Sequence, residues 1–227
     1  MTVTRITNFT SLPFAGHAPG RPVTFDNEDL LWYAKGVGAM QARELSDPSS
    51  WWFFAAIHGE YIRRPNFPGW GSLPSPPAVP TSPLPSQSDR DQYWDQCQHQ
   101  SWYFPPWHRG YLLALEAQIR AAVISLGGPA TWALPYWNYL GPGEEFKIPP
   151  AFTQQTLPDG SPNPLFVKAR YGPDGDGNIY IPTAAVVEQN PSDPDFAPGP
   201  VTQACMSNDL YTGSDAATSP PGFGGPE

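Results

Sequence analysis

Proline is the residue that most restricts how this chain can fold, because 31 of its 227 residues are proline. Proline fixes its own φ and lacks an amide hydrogen, so it is excluded from the interior of helices and of central strands. The chain also contains 21 glycines, and this composition is typical of long irregular segments. We therefore predict a mainly helical domain of residues 1–227, in which a few helices hold long Pro/Gly-rich loops in place.

Two stretches in the first 64 residues have apolar residues at helical spacing. The first predicted helix spans residues 27–44 and follows Asp26, a suitable N-cap. Its inward residues are Leu30, Leu31, Ala34, Val37 and Met40. The second begins after Asp47 or Ser49, either of which can cap it, with Pro48 in its first turn. Its inward residues are Phe53, Phe54, Ile57, His58 and Tyr61.

The longest predicted helix opens at Pro105 and Pro106 and closes at Gly127 and Gly128. Steps of four, three and four residues define its inward stripe. The stripe consists of His108, Leu112, Leu115 and Ile119. His108 thus lies on the first buried turn of this helix. His58 likewise belongs to the inward set of the helix before it.

The remaining segments are predicted to be loops. Residues 65–90 form a Pro/Ser-rich surface loop between helical regions at 1–64 and 91–128, and residues 149–227 are turn-rich. Within the last segment, the spacing of three residues resembles the start of a calcium loop: Asp174, Asp176 and Asn178. Ile179 stands where that loop needs glycine and Ala185 where it needs glutamate, so we predict a hairpin turn instead.

The charge balance excludes several classes of partner. Twelve Lys and Arg against 21 Asp and Glu give a net charge of −9 with no basic cluster, which argues against nucleic-acid binding. No apolar run reaches the roughly 18 residues of a membrane span. The first ten residues lack the layout of a secretory signal, so a soluble, cytoplasmic protein is favoured over a secreted one. Cys97 and Cys205 are too few for a disulfide framework.

Histidine is the residue type that points to chemistry. Of four histidines, His58, His99 and His108 lie in the most apolar and helical segments, whereas His17 lies in a Pro/Gly-rich stretch. Three imidazoles can bind Cu, Zn, Ni or Fe, and copper has the highest affinity among the divalent ions. The alternative is that each is a core histidine with its own hydrogen-bond partners.

The segment CQHQSWYFPPWHRGYLLALE, residues 97–116, resembles the first copper-binding motif of the type-3 copper family, which contains tyrosinases, catechol oxidases and molluscan haemocyanins. In that family a histidine on an early helix precedes a second histidine, a phenylalanine and a Trp-His-Arg that opens a helix. The matching residues here are His58, His99, Phe104, Trp107, His108, Arg109, Tyr111, Leu112 and Glu116. The resemblance implies the first half of an antiparallel four-helix bundle, with one copper ion bound by His58, His99 and His108.

The resemblance also implies roles for residues around the ligands. Cys97 lies two residues before His99, and several members of the family carry a similar pair joined by a thioether bond. The alternative for Cys97 is a small buried thiol. Further residues would support or orient the ligands: Phe104, Trp107, Arg109, Glu116, Trp137 and Asn138. Glu116 or Asn138 would accept a hydrogen bond from a ligand imidazole or pair with Arg109.

The complete family site contains two copper ions, the second held by three more histidines, but no histidine follows His108. The resemblance therefore implies that a complementary C-terminal chain or fragment carries the second copper motif. Together they would oxidise phenols and o-diphenols to o-quinones with dioxygen as co-substrate. The sequence leaves monophenol and diphenol activity open. The alternatives are a haemocyanin-like oxygen carrier, a mononuclear metal protein and an inactive remnant.

Overall fold

The computed structural model describes residues 24–59, 80, 82–98, 101–137 and 148–166. These residues form four helices: α1, Glu28–Gln41; α2, Trp51–Ile57; α3, Gln87–Tyr93; and α4, Phe104–Ser125. A 3-10 turn at Pro150–Phe152 and an isolated bridge between Thr156 and Pro162 follow, and the described part contains no strand. The prediction of a mainly helical fold is confirmed. The four-helix bundle and the division of the chain into copper helices and loops stay predictions.

The starts of α1 and α2 differ from the predicted caps. Asn27 caps α1 by accepting from the amide of Leu30 at 3.2 Å, whereas Asp26 accepts from the hydroxyl of Thr24. Ser50 caps α2 by accepting from the amide of Phe53 at 3.0 Å. The predicted caps were wrong because consecutive residues can all cap a helix, and the backbone conformation decides which one does.

The end of α2 also falls earlier than its apolar spacing suggests. The helix stops at Ile57, and His58 is its C-cap with an amide that still donates to the carbonyl of Phe54 at 3.3 Å. Gly59 follows with a φ of 103°, a conformation that glycine adopts without strain. The predicted inward residue Tyr61 lies outside the described residues.

Helix α3 was not predicted. It overlaps the last four residues of the predicted loop 65–90. Ser86 caps it by accepting from the amide of Asp89 at 3.1 Å. The helix can form because the proline run ends at Pro85 and the seven residues of the helix contain no proline.

The core lies between α1 and the second half of α4. Val37, Met40, Ile119 and Val123 are fully buried. The two helices approach closely at Gly36, where an added Cβ would lie 2.9 Å from the Cγ2 atom of Ile119. A large side chain on α1 at this position is therefore incompatible with the packing.

The first half of α4 is less covered than predicted. Leu115 and Ile119 are buried as expected, but Leu112 is 47% exposed and its neighbour Leu113 is 54% exposed. The inward position predicted for Leu112 is wrong because helical periodicity identifies a stripe but not the part of it that meets another element.

The segment after α4 packs back onto the helices. Trp132 is buried, its Nε1 donates to the carbonyl of Asp29 at 2.9 Å, and its ring stacks on Tyr33. Further on, the buried side chain of Asn163 donates to the carbonyls of Ala151 and Gln154. The described helices include none that is long and apolar enough to cross a membrane.

Candidate metal centre

The end of α2 and the first turns of α4 bring two of the predicted ligands together. The Nε2 atoms of His58 and His108 lie 3.3 Å apart. The Sγ atom of Cys97 lies 3.3 Å from the same Nε2 atom of His108. The potential ligand atoms of all three residues lie within 4.8 Å of one another. His99, the third predicted ligand, and Asn138 lie outside the described residues.

The hydrogen bonding of His108 defines which nitrogen faces this cluster. Its Nδ1 lies 2.8 Å from the carbonyl oxygen of Phe104, one helical turn earlier. A carbonyl oxygen only accepts, so Nδ1 carries the proton and donates. In the neutral imidazole, Nε2 then has a lone pair directed at His58 and Cys97, which is the arrangement of a metal-binding histidine whose tautomer is fixed by its other nitrogen.

The spacing of the donor atoms fits a single ion. Imidazole nitrogens bind an ion such as zinc at about 2.0–2.1 Å, so two of them at an angle of about 90–110° lie about 2.8–3.4 Å apart. The observed separation of 3.3 Å between the Nε2 atoms of His58 and His108 falls in this range. Imidazole and sulfur donors suit copper and zinc better than magnesium or calcium.

Cys97 reaches the cluster because the chain before it caps α2. The amide of Asp95 donates to the carbonyl of Ala56, and the amide of Gln96 donates to the carbonyl of Ile57, both at 3.0 Å. These carbonyls lie at the helix end, where the regular i+4 donors are missing, and that of Ala56 also accepts from the amide of Gly59 at 3.1 Å. Asp95 has a φ of 58°, in the left-handed region that non-glycine residues rarely adopt. Its conformation directs two successive amides at the helix and Cys97 at the histidines.

Aromatic rings surround the two histidines. The Phe104 ring lies 4.0 Å from the His108 ring between centroids. Trp107 and Tyr111 stack on each other at 5.3 Å, and their rings lie 6.1 and 5.7 Å from that of His58. Burial raises the pKa of the Tyr111 hydroxyl above its ordinary value, and burial likewise raises the pKa of the Cys97 thiol. Both groups therefore keep their protons at neutral pH when no metal is bound.

Among the described residues, Glu116 contacts neither the His58 nor the His108 imidazole. Its carboxylate pairs with Arg120 and accepts from the amide of Leu134 at 3.1 Å. Arg120 in turn donates through Nε to the carbonyl of Trp132 at 2.6 Å. Glu116 thus joins α4 to the segment that follows it. Of the other predicted supporting residues, Arg109 is exposed and Trp137 is partly buried.

Two features of the site had no clear signal in the sequence. The hydroxyl of Tyr111 donates to the carbonyl of Phe54 at 2.8 Å and so links α4 to α2. The spacing of four residues between Trp107 and Tyr111 predicts that their rings meet, but not that the hydroxyl reaches another helix. The left-handed conformation of Asp95 is equally unsignalled, although aspartate tolerates it better than most residues do.

Comparisons with known proteins identify relatives of the chain. Residues 48–218, more than half of the chain, match the family model described as the common central domain of tyrosinase. The chain is 36% identical over 155 residues to tyrosinase HcTyr1 of Hahella sp. (strain CCB-MM4), covering 63% of this chain and 32% of that protein. It is 29% identical over 131 residues to a tyrosinase of Aspergillus oryzae (strain ATCC 42149 / RIB 40), covering 55% of this chain and 19% of that protein.

Among solved structures, a recombinantly expressed latent aurone synthase (polyphenol oxidase) matches with a TM-score of 0.43 and 22% identity. The match covers 74% of this chain and 26% of that one. The chain thus spans less than a third of the length of this protein and of both tyrosinases. The family match rests on the sequence and confirms the family predicted from residues 97–116. The chain therefore belongs to the type-3 copper tyrosinase family.

Proposed function

We propose that this chain supplies the first copper site of a dinuclear copper oxidase that acts on phenols and o-diphenols. One observation carries the proposal: in a chain that matches the tyrosinase central domain, the potential ligand atoms of His58, Cys97 and His108 lie within 4.8 Å of one another. His99 completes the proposed ligand set of His58, His99 and His108. The substrate would be a small phenolic molecule, with dioxygen as co-substrate.

The proposed reaction converts an o-diphenol to an o-quinone. Each diphenol loses two electrons and two protons, so two diphenols reduce one dioxygen to two waters. A pair of copper ions, when bound, supplies the redox chemistry that links the two substrates. The chain's own residues hold and orient the ligands: the carbonyl of Phe104 fixes the tautomer of His108, and the rings of Trp107 and Tyr111 pack beside the ring of His58.

We further propose that a complementary C-terminal chain or fragment carries the second copper motif and packs on the first half of α4. In the part of the chain that the structure describes, that half exposes two adjacent leucines that a partner could cover. They are Leu112, which the apolar spacing predicts to be inward, and Leu113. Because the 227 residues contain no histidine after His108, the second set of ligands must come from outside them.

Copper loading and activity test the enzyme proposal together. The active particle should contain two copper ions and convert catechol to o-quinone, whose visible absorbance measures the reaction. Two coppers with reversible dioxygen binding and no quinone would instead indicate an oxygen carrier of the haemocyanin kind. A single metal ion in the active particle would indicate a mononuclear protein. Either result contradicts the proposed oxidase.

The composition of that particle tests the partner proposal. Intact-mass spectrometry should show the 24.9 kDa chain together with a second polypeptide whose sequence contains His-x-x-x-His. Leu113→Glu should weaken their association, whereas Glu28→Gln, an exposed change on α1, should not. A monomeric, active 24.9 kDa species rules the partner out, and so does one continuous polypeptide that contains both motifs.

We also propose a thioether bond between Cys97 and the ring of His99. Its formation removes the thiol hydrogen and one ring hydrogen, and dioxygen accepts these two electrons and two protons. The mature chain should then weigh two hydrogen atoms less than calculated, and Cys97→Ser should have its full calculated mass. A full-mass chain isolated in its active, copper-loaded form contradicts the crosslink.

A further inference from the structure

The carbonyl oxygen of Phe54 receives two hydrogen bonds at the end of α2. The amide of His58 donates to it at 3.3 Å, as the last step of the helical pattern. The hydroxyl of Tyr111, from the second turn of α4, donates to the same oxygen at 2.8 Å. One carbonyl oxygen thus joins the backbone of a proposed copper ligand to a side chain of the helix that carries another ligand.

This contact matters because α2 cannot hold its own end in place. The helix has seven residues, and helices of this length are not stable in isolation. His58 lies one residue beyond it, at the position where helices usually fray. The position of the His58 ring relative to His108 therefore depends on contacts between α2 and its neighbours.

The ring of Tyr111 provides a second set of contacts to the same region. It lies 5.8 Å from the ring of Phe54 and 5.7 Å from that of His58. Trp107 stacks on it, with the two ring planes 11° apart. The ring is therefore held by packing, which directs the hydroxyl at the Phe54 carbonyl.

We propose that Tyr111 is a positioning residue for copper: its hydroxyl, through the carbonyl of Phe54, sets the distance between His58 and His108. The inference rests on the proposed copper site, but it assigns to Tyr111 a role distinct from that of the ligands. Tyr111 does not touch the ion. It fixes the end of the helix from which His58 projects.

The test compares three variants of the full chain, each titrated with Cu(II) alone. Tyr111→Phe removes the hydroxyl and keeps the ring, whereas Tyr111→Leu removes both. Tyr103→Phe is the matched control, because the Tyr103 side chain is 72% exposed one residue before α4. Electron paramagnetic resonance reports the copper ligand geometry, and circular dichroism reports the folded fraction.

The Tyr111→Phe variant should stay folded. Its copper dissociation constant should rise roughly threefold to tenfold, which corresponds to the loss of one hydrogen bond, and its copper hyperfine splitting should shift. Tyr111→Leu should weaken binding further, and Tyr103→Phe should match the unaltered chain. A Tyr111→Phe spectrum and affinity equal to those of the unaltered chain overturn the inference, even if Tyr111→Leu is impaired. Failure of the unaltered chain to bind copper overturns the proposed function instead.

Discussion

His58 and His108 stand 50 residues apart in the chain, yet their Nε2 atoms are separated by 3.3 Å. The contact joins the C-cap of α2 to the second turn of α4. If these two rings share a metal ion, loss of either imidazole removes a direct bond. We expect His58→Ala and His108→Ala each to weaken Cu(II) binding by at least about 100-fold, beyond the effect of losing an outer contact.

The control for the histidine variants is His17→Ala, which removes the one histidine outside the proposed ligand set. Its copper affinity should equal that of the unaltered chain. Competition titration against a chelator of known affinity measures all three variants. If His58→Ala and His17→Ala bind copper equally well, the site is not where the geometry places it.

The backbone conformation of Asp95 gives a second prediction. Its φ of 58° costs a β-branched residue about 1–2 kcal/mol, whereas glycine adopts it freely and asparagine tolerates it. Asp95→Val should therefore destabilise the fold and weaken Cu(II) binding more than Asp95→Asn does, because asparagine keeps the left-handed conformation. Thermal unfolding and copper titration measure the series. A loss in Asp95→Asn equal to that in Asp95→Val would assign the effect to the carboxylate instead.

Glu116 should matter for stability and not for copper geometry. Glu116→Ala leaves the Leu134 amide without its acceptor and Arg120 without its carboxylate, which costs about 1–3 kcal/mol. Because about 1 kcal/mol shifts Tm by 2–4 °C in a domain of this size, the melting temperature should fall by several degrees. Glu116→Gln keeps an acceptor and should lose less. An altered copper spectrum in Glu116→Ala would place Glu116 in contact with a ligand.

Two glycines in helix interiors should respond oppositely to alanine. At Gly110 an added Cβ meets no atom within 4 Å, so Gly110→Ala should stabilise the chain by about 0.5–1 kcal/mol through helix propensity. At Gly36 the Cβ would lie 2.9 Å from Ile119 and 3.1 Å from Val123, so Gly36→Ala should destabilise it by about 1–3 kcal/mol. Urea unfolding measures both. Stabilisation by both variants would mean that α1 and α4 are farther apart than the contact between Gly36 and Ile119 indicates.

The ionisation of Asp47 predicts how the stability of the fold depends on pH. Its carboxylate accepts from the hydroxyl and the amide of Ser49, and these bonds hold its pKa below the ordinary value of 3.8. A depressed folded pKa contributes stability above the unfolded pKa, and that stability is lost as the pH falls through the folded pKa. Asp47→Ala should therefore lower Tm at pH 7 and differ less from the unaltered chain near pH 2.5. An equal loss at both pH values would exclude the ionised carboxylate as the cause.

The sequence predicts α1 and α4 well because burial and periodicity coincide in them. Ala34 and Val37 in α1, and Ile119 in α4, are fully buried where the spacing predicts. Periodicity does not show which part of a stripe another element covers. The exposure of Leu112, which lies on the predicted inward stripe, was therefore not predictable. Helix α3 was missed because the proline density of the whole segment concealed a short proline-free end.

The sequence predicts which residue types meet at the candidate site but not how they are arranged there. Histidine type and motif order identify His58 and His108, which the fold brings together. The sequence places Cys97 beside His99 and gives no sign that its sulfur also approaches His108. That approach depends on the backbone of Asp95 and on the capping of α2, and both arise only when distant segments meet.

Helix α4 has 22 residues, and Gly36 of α1 meets it at Ile119, eleven residues beyond His108. At 1.5 Å per residue, this separates the end that carries His108 from the tightly packed end by about 16 Å. Donor atoms can therefore be exchanged at one end without repacking the other. A designer who wished to change the metal preference of the proposed site would start from the first two turns of α4 and leave the rest of the helix unchanged.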